Sequence, residues 1–539
     1  MREIDRLTTE EYGVPSLTLM QTAANACFLE IEKRYSGKIA DLSVRILCGP
    51  GNNGGDGAAL AQMLSAAGAE TEVILFGKID DSTGDARTNF NRVQELSSDS
   101  SNRLAFIACT TSEEWKTLSD TSSSYNLIVD ALFGTGLSRP LKGIFAEVLE
   151  DLLVIHDSEK APFILSVDIP SGLNSDSSLL IGPTVEADLT VTFTAPKIAN
   201  VLPPASYVNG KLAIAGIGSP TDLLDRVASD LFITEQEDAQ RWLVKTRYAP
   251  DSFKNTHGHV LVIAGSRGYT GAAVLCGTAA MRAGAGLTTI ATPNSSLATI
   301  AASVMPEVIT TALAETDRGA VSDTAFDYIA QLSSKVTVVA IGPGLTSADE
   351  RTRNFVHAVV AQRRTPVVVD ADALNCLAPW PDTLSWESEL PIVLTPHPGE
   401  MLRLLGTTDR SALEDRVGIA RTFSVKNQLI LVLKGSPTII AAADGRVFIN
   451  PTGNPGLGTA GAGDTLTGLI AGFLAQEFGQ TKHKPDALQA TIAALYVGGF
   501  AGDLAVRELG MRSMVASDIR ERIGDAICLL DPVGEGCSE

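Results

Sequence analysis

No two of the seven cysteines (Cys27, Cys48, Cys109, Cys276, Cys376, Cys528 and Cys537) form a CxxC pair. That spacing argues against a zinc site or a disulfide frame, and several of the cysteines sit in apolar runs, so buried thiols in a reducing compartment are expected. Positive charge is also scarce: 42 Lys and Arg against 63 Asp and Glu, a formal net charge of −21. Cationic side chains supply most nonspecific affinity for nucleic acid and anionic membranes, so neither is an expected partner. A local basic pocket for a small anion is not excluded, and a solvated acidic surface is the simplest account of the charge. No apolar run reaches the length of a membrane span. The N-terminal segment MREIDRLTTEEYG has no apolar signal core, so the chain reads as cytoplasmic. No short-period repeat is visible.

What the chain does have is 539 residues, 45% of them hydrophobic. That is too long for one ordinary domain and enough for a core in each half. In the first half, SVRILC (43–48) leads into a Gly/Asn loop and the helical spacing of GAALAQMLSAAG. TEVILF (71–76), NLIVDALFGTG (126–136), PFILSVDIPSG (162–172) and DLTVTFTAP (188–196) follow. Strand, turn and helix in repetition predict a parallel sheet covered on both faces. SSDSSN (97–102) and TSSSY (121–125) read as surface loops. The pattern changes unit around 215–232, which places one domain at 1–220 and a second at 221–539. The second α/β cycle starts with HVLVIAGSRGYTGAA (259–273). Its strands fall in GLTTIATP (286–293), KVTVVAIGPG (335–344), TPVVVDADAL (365–374), LPIVLTPHPGE (390–400), NQLILVLKGSPTIIAA (427–442) and GRVFIN (445–450), with helices at 464–476 and 486–501.

TAGAGDTLTG (459–468) surrounds Asp464 with glycines at a helix start. Glycine N–H groups and the helix dipole suit phosphate. A carboxylate there would repel phosphate, and makes sense if it moves a proton beside it. The plain alternative is a Gly-rich turn with Asp464 as a helix cap. NPGLG (454–458) lies upstream, KGSPT (434–438) offers a lysine and small hydroxyls or a solvated strand end, and TPHPGE (395–400) frames His397 and Glu400 with prolines. All these turns follow strand C-termini, where open α/β sheets place their ligands.

In the first half, GPGNNGGDG (49–57) follows a strand and opens a helix. It is not GxGxxG in register. Asn52, Asn53 and Asp56 suit ribose hydroxyls or a weakly bound cation, and an Asx-Gly turn is the alternative. VDALFGTGLSRPL (129–141) and VDIPSGLNSD (167–176) repeat the arrangement of an aspartate closing an apolar run with a glycine soon after.

The GAGD helix start resembles the ribokinase-like superfamily. HVLVIAGSRGYTGAA, AMRAGAGL, IGPGL, VDADALN, LTPHPGEM, LKGSPT and NPGLGTAGAGDTLTG, in that order over about 225–530, resemble the ADP- or ATP-dependent NAD(P)H-hydrate dehydratases. The three N-terminal stretches resemble the NAD(P)H-hydrate epimerase domain over 1–217. The resemblance implies an N-terminal Rossmann-like three-layer αβα domain followed by a ribokinase-like α/β domain. It implies repair of hydrated NADH and NADPH: epimerisation of R- and S-hydrates, then dehydration of the S-hydrate at the expense of ADP or ATP. Asp464 would then accept the proton of the C6 hydroxyl, and Gly461 and Gly463 would face developing phosphate charge. Lys434, Gly435, Ser436, Pro437, Thr438 and Gly463 would hold the nucleotide, with magnesium. Ala272, Gly344, His397 and Asp464 would line the dehydratase pocket. In the epimerase domain the hydrate would bind at Asn52, Asn53, Gly54, Gly55 and Asp56, at Gly134, Thr135, Gly136, Leu137, Ser138, Arg139 and Pro140, and at Asp168, which would assist proton movement. Potassium would sit between Asn53, Asp130 and Ser171, and a homo-oligomer is expected. The family pattern extends upstream of MREID, so a short first helix is expected.

Two other readings of the residues stay open. A ribokinase-type small-molecule kinase would explain GAGD but not the N-terminal half. A non-catalytic nucleotide-binding scaffold would show no turnover to lose on Asp464→Asn.

Overall fold

The computed structural model describes the chain except residues 100, 120–123, 159–160, 228, 385–389, 481–483 and 536–539. Parts of the two expected serine-rich loops, and Cys537, therefore lie outside the described residues. The chain divides into two compact units, Met1–Ala228 and Ser229–Glu539.

The first unit is built on seven strands: β1 (Ser43–Cys48), β2 (Glu70–Phe76), β3 (Leu104–Cys109), β4 (Leu127–Ala131), β5 (Phe163–Val167), β6 (Leu189–Phe193) and β7 (Lys211–Ala215). All pair in parallel, in the order β3-β2-β1-β4-β5-β6-β7. Side chains alternate faces along each strand. Val44, Ile46 and Cys48 of β1 join one core with the helices Ser16–Arg34, Asn52–Ala66 and Gly84–Ser97. Leu47 joins the other, with Trp115 and the helix Ile144–His156. This is a three-layer αβα sandwich. Arg45 points into the second layer, where its charge meets Glu72 at 2.7 Å and its guanidinium donates to the Leu118 carbonyl at 2.7 Å. The first helix spans Arg2–Tyr12.

The second unit holds ten strands: β8 (Leu231–Ile233), β9 (His259–Ile263), β10 (Leu287–Pro293), β11 (Ile309–Leu313), β12 (Val338–Ile341), β13 (Val367–Val369), β14 (Ile392–Leu394), β15 (Ile430–Leu433), β16 (Thr438–Ala441) and β17 (Val447–Asn450). Their order is β11-β10-β9-β12-β13-β14-β15-β16-β17-β8. The sheet is not wholly parallel, because β16 runs antiparallel to both β15 and β17. NQLILVLKGSPTIIAA is therefore a hairpin rather than one strand, with Leu433 opposite Ile439.

The helices Thr270–Arg282 and Ala462–Gly479 pack tightly on one face of this sheet. A Cβ at Gly468 would lie 2.1 Å from the Cys276 carbonyl oxygen, and one at Gly472 would lie 2.7 Å from Ala283 Cβ. Gly461 meets Leu275. Contacts that advance together along both helices mean that they run in the same direction, with their N-termini side by side.

Contrary to the expectation from sequence, one helix, Ala487–Leu509, is long and apolar enough by length and composition to cross a membrane. Its most apolar window is 61% buried, and Ala490, Ala493, Ala494, Val497 and Ala501 are fully enclosed in the core. Cys27, Cys48, Cys109 and Cys276 are free and buried, and Cys376 is free and half-buried. Cys528 departs from the expected free thiols in being disulfide-bonded.

Candidate active sites

In the first sheet, β2 and β3 lie on one side of β1 while β4 and the strands after it lie on the other. Loops leaving the C-terminal ends of β1 and β4 diverge there and open a crevice. A cavity of ≈ 680 Å³ occupies this place, lined among others by Asn52, Asn53, Asp56, Gly134 and Asp168. Asn53 is 9% exposed, and its side-chain N–H group has no acceptor among the described residues. A buried donor left without a partner is costly, so this one is suited to a ligand. A Cβ at Gly134 would sit 3.3 Å from Asn53 Oδ1 and 3.5 Å from Asp168 Oδ2, so the missing side chain leaves the space between them open.

Asp168 follows β5 with φ 69°, a left-handed conformation that a non-glycine residue adopts at a cost on the order of 1 kcal/mol. Its carboxylate receives Lys197 Nζ at 2.5 Å and Thr192 Oγ1 at 3.2 Å. Asp130, fully buried at the end of β4, accepts at Oδ2 from Ser166 Oγ and Ser171 N, both at 2.8 Å. Its Oδ1 accepts from Ser171 Oγ at 2.5 Å. Burial raises the Asp130 carboxyl above its ordinary range, and these donors oppose that rise. Asp56 is pushed well up, first by burial and then by the negative charges of Asp168 and Asp5.

Several expected residues take other places. Gly54 and Gly55 are buried in packing contacts: a Cβ would lie 1.8 Å from the Gly49 carbonyl oxygen and 2.8 Å from Ala86, respectively. Of the 134–140 segment, Gly134, Thr135 and Gly136 border the cavity, while Leu137, Ser138, Arg139 and Pro140 are not among its lining residues. The lining residues that were not anticipated include Lys197 and Asp5. The only sequence signal was a lysine directly after TFTAP, which reads equally well as a solvated turn.

In the second unit, Asp464 lies in the first turn of Ala462–Gly479, entered through Gly461 at φ 85°. Lys434 Nζ lies 3.3 Å from where a Gly463 Cβ would be, and it donates to Asp370 Oδ1 at 2.8 Å. Asp370, 1% exposed at the end of β13, also accepts from Thr467 Oγ1 at 2.7 Å. Burial alone would raise Asp370, but the Lys434 charge and the surrounding donors outweigh it and hold the carboxyl below its ordinary value. Asp464 behaves oppositely. Burial first, and the Asp370 charge second, push it up to about 6, against the pull of Lys434.

His397 caps the helix Pro398–Leu404: its Nδ1 accepts from Gly399 N at 3.0 Å, and its own N–H donates to Glu400 Oε2 at 2.8 Å. Burial lowers its imidazole, with Lys434 and Arg403 adding to the effect. Glu400 is pushed up to about 7 by burial. The Lys434 N–H donates to the Pro396 carbonyl at 2.8 Å, which ties the ends of β14 and β15 together. Beyond it, Gly435, Ser436 and Pro437 turn the β15–β16 hairpin into Thr438, and Arg416 Nη2 donates to the Pro437 carbonyl at 2.9 Å.

Ala272 and Gly344 meet: a Cβ at Gly344 would lie 3.1 Å from Ala272 Cβ. Ala272 is in the first turn of Thr270–Arg282, whose N-terminus adjoins that of the Asp464 helix. The structure thus draws Asp464, Gly463, Lys434 and the unanticipated Asp370 into one contact group, with Glu400 and His397 beside Lys434. Among the described residues no cluster of three His, Cys, Asp or Glu could hold a metal ion.

A family profile described as NAD(P)H-hydrate dehydratase matches residues 260–524, and one described as YjeF-related protein N-terminus matches residues 16–199. The bifunctional NAD(P)H-hydrate repair enzyme of Moorella thermoacetica is 41% identical over 522 residues, covering 96% of this chain and 94% of that protein. The protein of the same description from Escherichia coli is 31% identical over 526 residues, covering 96% and 91%. Among solved structures, the ADP/ATP-dependent NAD(P)H-hydrate dehydratase of Bacillus subtilis, co-crystallised with ATP and Mg2+, is 30% identical. It covers 56% of this chain and 100% of its own, with a TM-score of 0.47.

Proposed function

Because the chain belongs to the family of bifunctional NAD(P)H-hydrate repair enzymes, we propose that its two sites divide the repair between them. The first unit epimerises the R- and S-hydrates. The second is the ADP- or ATP-dependent dehydratase, which returns the S-hydrate to NADH or NADPH. The observation that carries the assignment of the second site is the pairing of a half-buried Asp464, held near neutrality, with a helix N-terminus and Lys434.

Hydroxide leaves a carbon poorly and a phosphate ester leaves well. Asp464 accepts the proton of the C6 hydroxyl as that oxygen takes the phosphoryl group from the nucleotide. N–H groups at Gly461 and Gly463 face the transferring charge. Departure of phosphate, with loss of a C5 proton, restores the ring double bond. A group titrating at about 6 is mostly ionised at neutral pH and still basic enough to help. The nucleotide lies along Lys434 to Thr438, ADP giving AMP and phosphate. Ala272, Gly344 and His397 border the hydrate. Magnesium, arriving with the nucleotide, neutralises phosphate charge.

In the epimerase, the oxygen-rich set of Asn53, Asp130 and Ser171 suits potassium. Asp130 is a buried carboxylate with no cationic side chain paired to it among the described residues, and a bound cation would offset its charge. The reading includes a cytoplasmic location, where nicotinamide and adenine nucleotides are abundant. It also includes assembly of like chains, for which light scattering should return a multiple of 56.6 kDa.

The decisive experiment supplies acid-made NADH hydrate with ADP or ATP and follows the nicotinamide absorbance. Return of NADH with release of phosphate is expected, and Asp464→Asn should abolish it while retaining nucleotide binding. Accumulation of a stable phosphorylated product would favour the kinase reading, and no turnover would favour the scaffold.

A further inference from the structure

Lys197 follows β6, and its side chain is 5% exposed. Its Nζ donates to Asp168 Oδ1 at 2.5 Å, Thr192 Oγ1 at 2.8 Å and the Phe193 carbonyl at 3.1 Å. All three protons are committed, so this lysine does not shuttle one. It fixes negative charge on Asp168 at Oδ1, while Oδ2 faces the gap left by Gly134. Asp56 borders the same cavity from the second turn of Asn52–Ala66, and no hydrogen bond or ion pair engages its carboxyl among the described residues. Burial and the neighbouring charges of Asp168 and Asp5 favour its neutral form. A carboxylate paired with a lysine and a second, unpaired carboxyl pushed up, both bordering one cavity, suit acid–base catalysis. The orphaned Asn53 amide in the same wall independently calls for a ligand.

Resting on the epimerase reading above, we propose that Asp56 and Asp168 are the acid–base pair of C6 epimerisation, Asp56 entering protonated and Asp168 entering as carboxylate, with Lys197 as the positioning residue that decides which is which. Asp56 gives its proton to the C6 hydroxyl. The C6–O bond breaks, water leaves, and the N1 lone pair forms an N1=C6 double bond, so C6 becomes planar. Water then adds to the opposite face, the π electrons return to N1, and Asp168 takes the proton released. One proton enters from Asp56 and one leaves to Asp168, and exchange with water resets the pair between turnovers, so no other reactant is consumed. The opposite epimerisation starts from the exchanged state.

The test uses the full chain with pure S-hydrate and no nucleotide, with appearance of the R-hydrate followed by chromatography. Wild type should lose kcat/KM on the alkaline side, an alkaline limb set by Asp56. Other titratable or charged groups lining the cavity are Asp5, Arg6 and Met1 at the N-terminal end, and Asp85 from Gly84–Ser97. Asp56→Asn should lower the rate on the order of 10²-fold or more, as expected on losing a general acid. Lys197→Met should lower the epimerisation rate, and Lys197→Arg, which keeps a cation beside Asp168, should restore it. Dehydration of the S-hydrate by each variant, with nucleotide added, reports that the chain is folded.

If wild type fails to interconvert the epimers, the epimerase reading itself falls. If wild type interconverts them and Asp56→Asn does so at full rate, only the paired-carboxyl proposal is overturned. Should Asp56→Asn not fold, a wild-type profile without an alkaline limb overturns it equally.

Discussion

Asp370→Asn should change the pH dependence of dehydration in a direction fixed by the geometry. Asp464 titrates at about 6, held up first by burial and second by the Asp370 charge. If its carboxylate accepts the hydroxyl proton, activity follows the ionised fraction, which is about 90% at pH 7 and about 10% at pH 5. Replacing Asp370 removes the like charge. It also frees Lys434, now paired at 2.8 Å, to act on Asp464 alone. Both changes favour ionised Asp464, so its pKa must fall. A fall of about one unit, or about 1.4 kcal/mol, would make activity at pH 5 about half of that at pH 7 instead of about one tenth.

The assay is kcat/KM for the S-hydrate at saturating ADP between pH 5 and 8. Glu400, pushed up to about 7, titrates in the same window, so Glu400→Gln is measured alongside and should leave the acid limb in place. An acid limb that stays put or moves upward in Asp370→Asn would refute the assignment of Asp464 as the titrating base.

Three further outcomes follow from the same contacts. Asp464 is raised above its unfolded value, so its contribution to stability is present at low pH and is lost as pH rises through about 6. Asp464→Asn should therefore raise Tm at pH 8, by the equivalent of roughly 1–3 kcal/mol, while leaving stability near pH 4 almost unchanged, as calorimetry across that range would show. Lys434→Met leaves Asp370 buried without its cation and should destabilise the second unit by about 3–5 kcal/mol in denaturant titration; adding Asp370→Asn should recover part of that loss without recovering activity. Gly468→Val drives a side chain into the Cys276 carbonyl, where even a Cβ would lie 2.1 Å away, and should cost at least about 1–3 kcal/mol and reduce dehydration by shifting the Asp464 helix.

The parts of the fold that were legible beforehand share one property: their sequence signal is local. SVRILC is strand β1 end to end because a central parallel strand is buried on both faces and is therefore largely apolar, with Arg45 the exception whose charge Glu72 meets. β3, β7 and β11 gave no such signal because they lie at sheet edges and leave side chains partly exposed. The β15–β16 hairpin was hidden for a different reason, since two four-residue strands separated by four residues look like one apolar run. The site divides along the same line. Asp464 and Asp168 stand out in sequence as lone carboxylates among glycines and prolines. The charges that surround them are non-local: Asp370 reaches Lys434 across 64 positions and Lys197 reaches Asp168 across 29.

In both units a strand-end carboxylate pairs with a lysine from a later strand turn, and a second carboxyl in the same site is pushed up. In the first unit these are Asp168 and Asp56, and in the second Asp370 and Asp464. The chemistry differs between the sites, yet each reaction must hand a proton to or from a hydroxyl on C6 at neutral pH. A lone buried carboxyl leaves its protonation state to burial alone. In the second site the negative charge of Asp370 helps burial hold Asp464 up, and that is the interaction that removing Asp370's charge would measure.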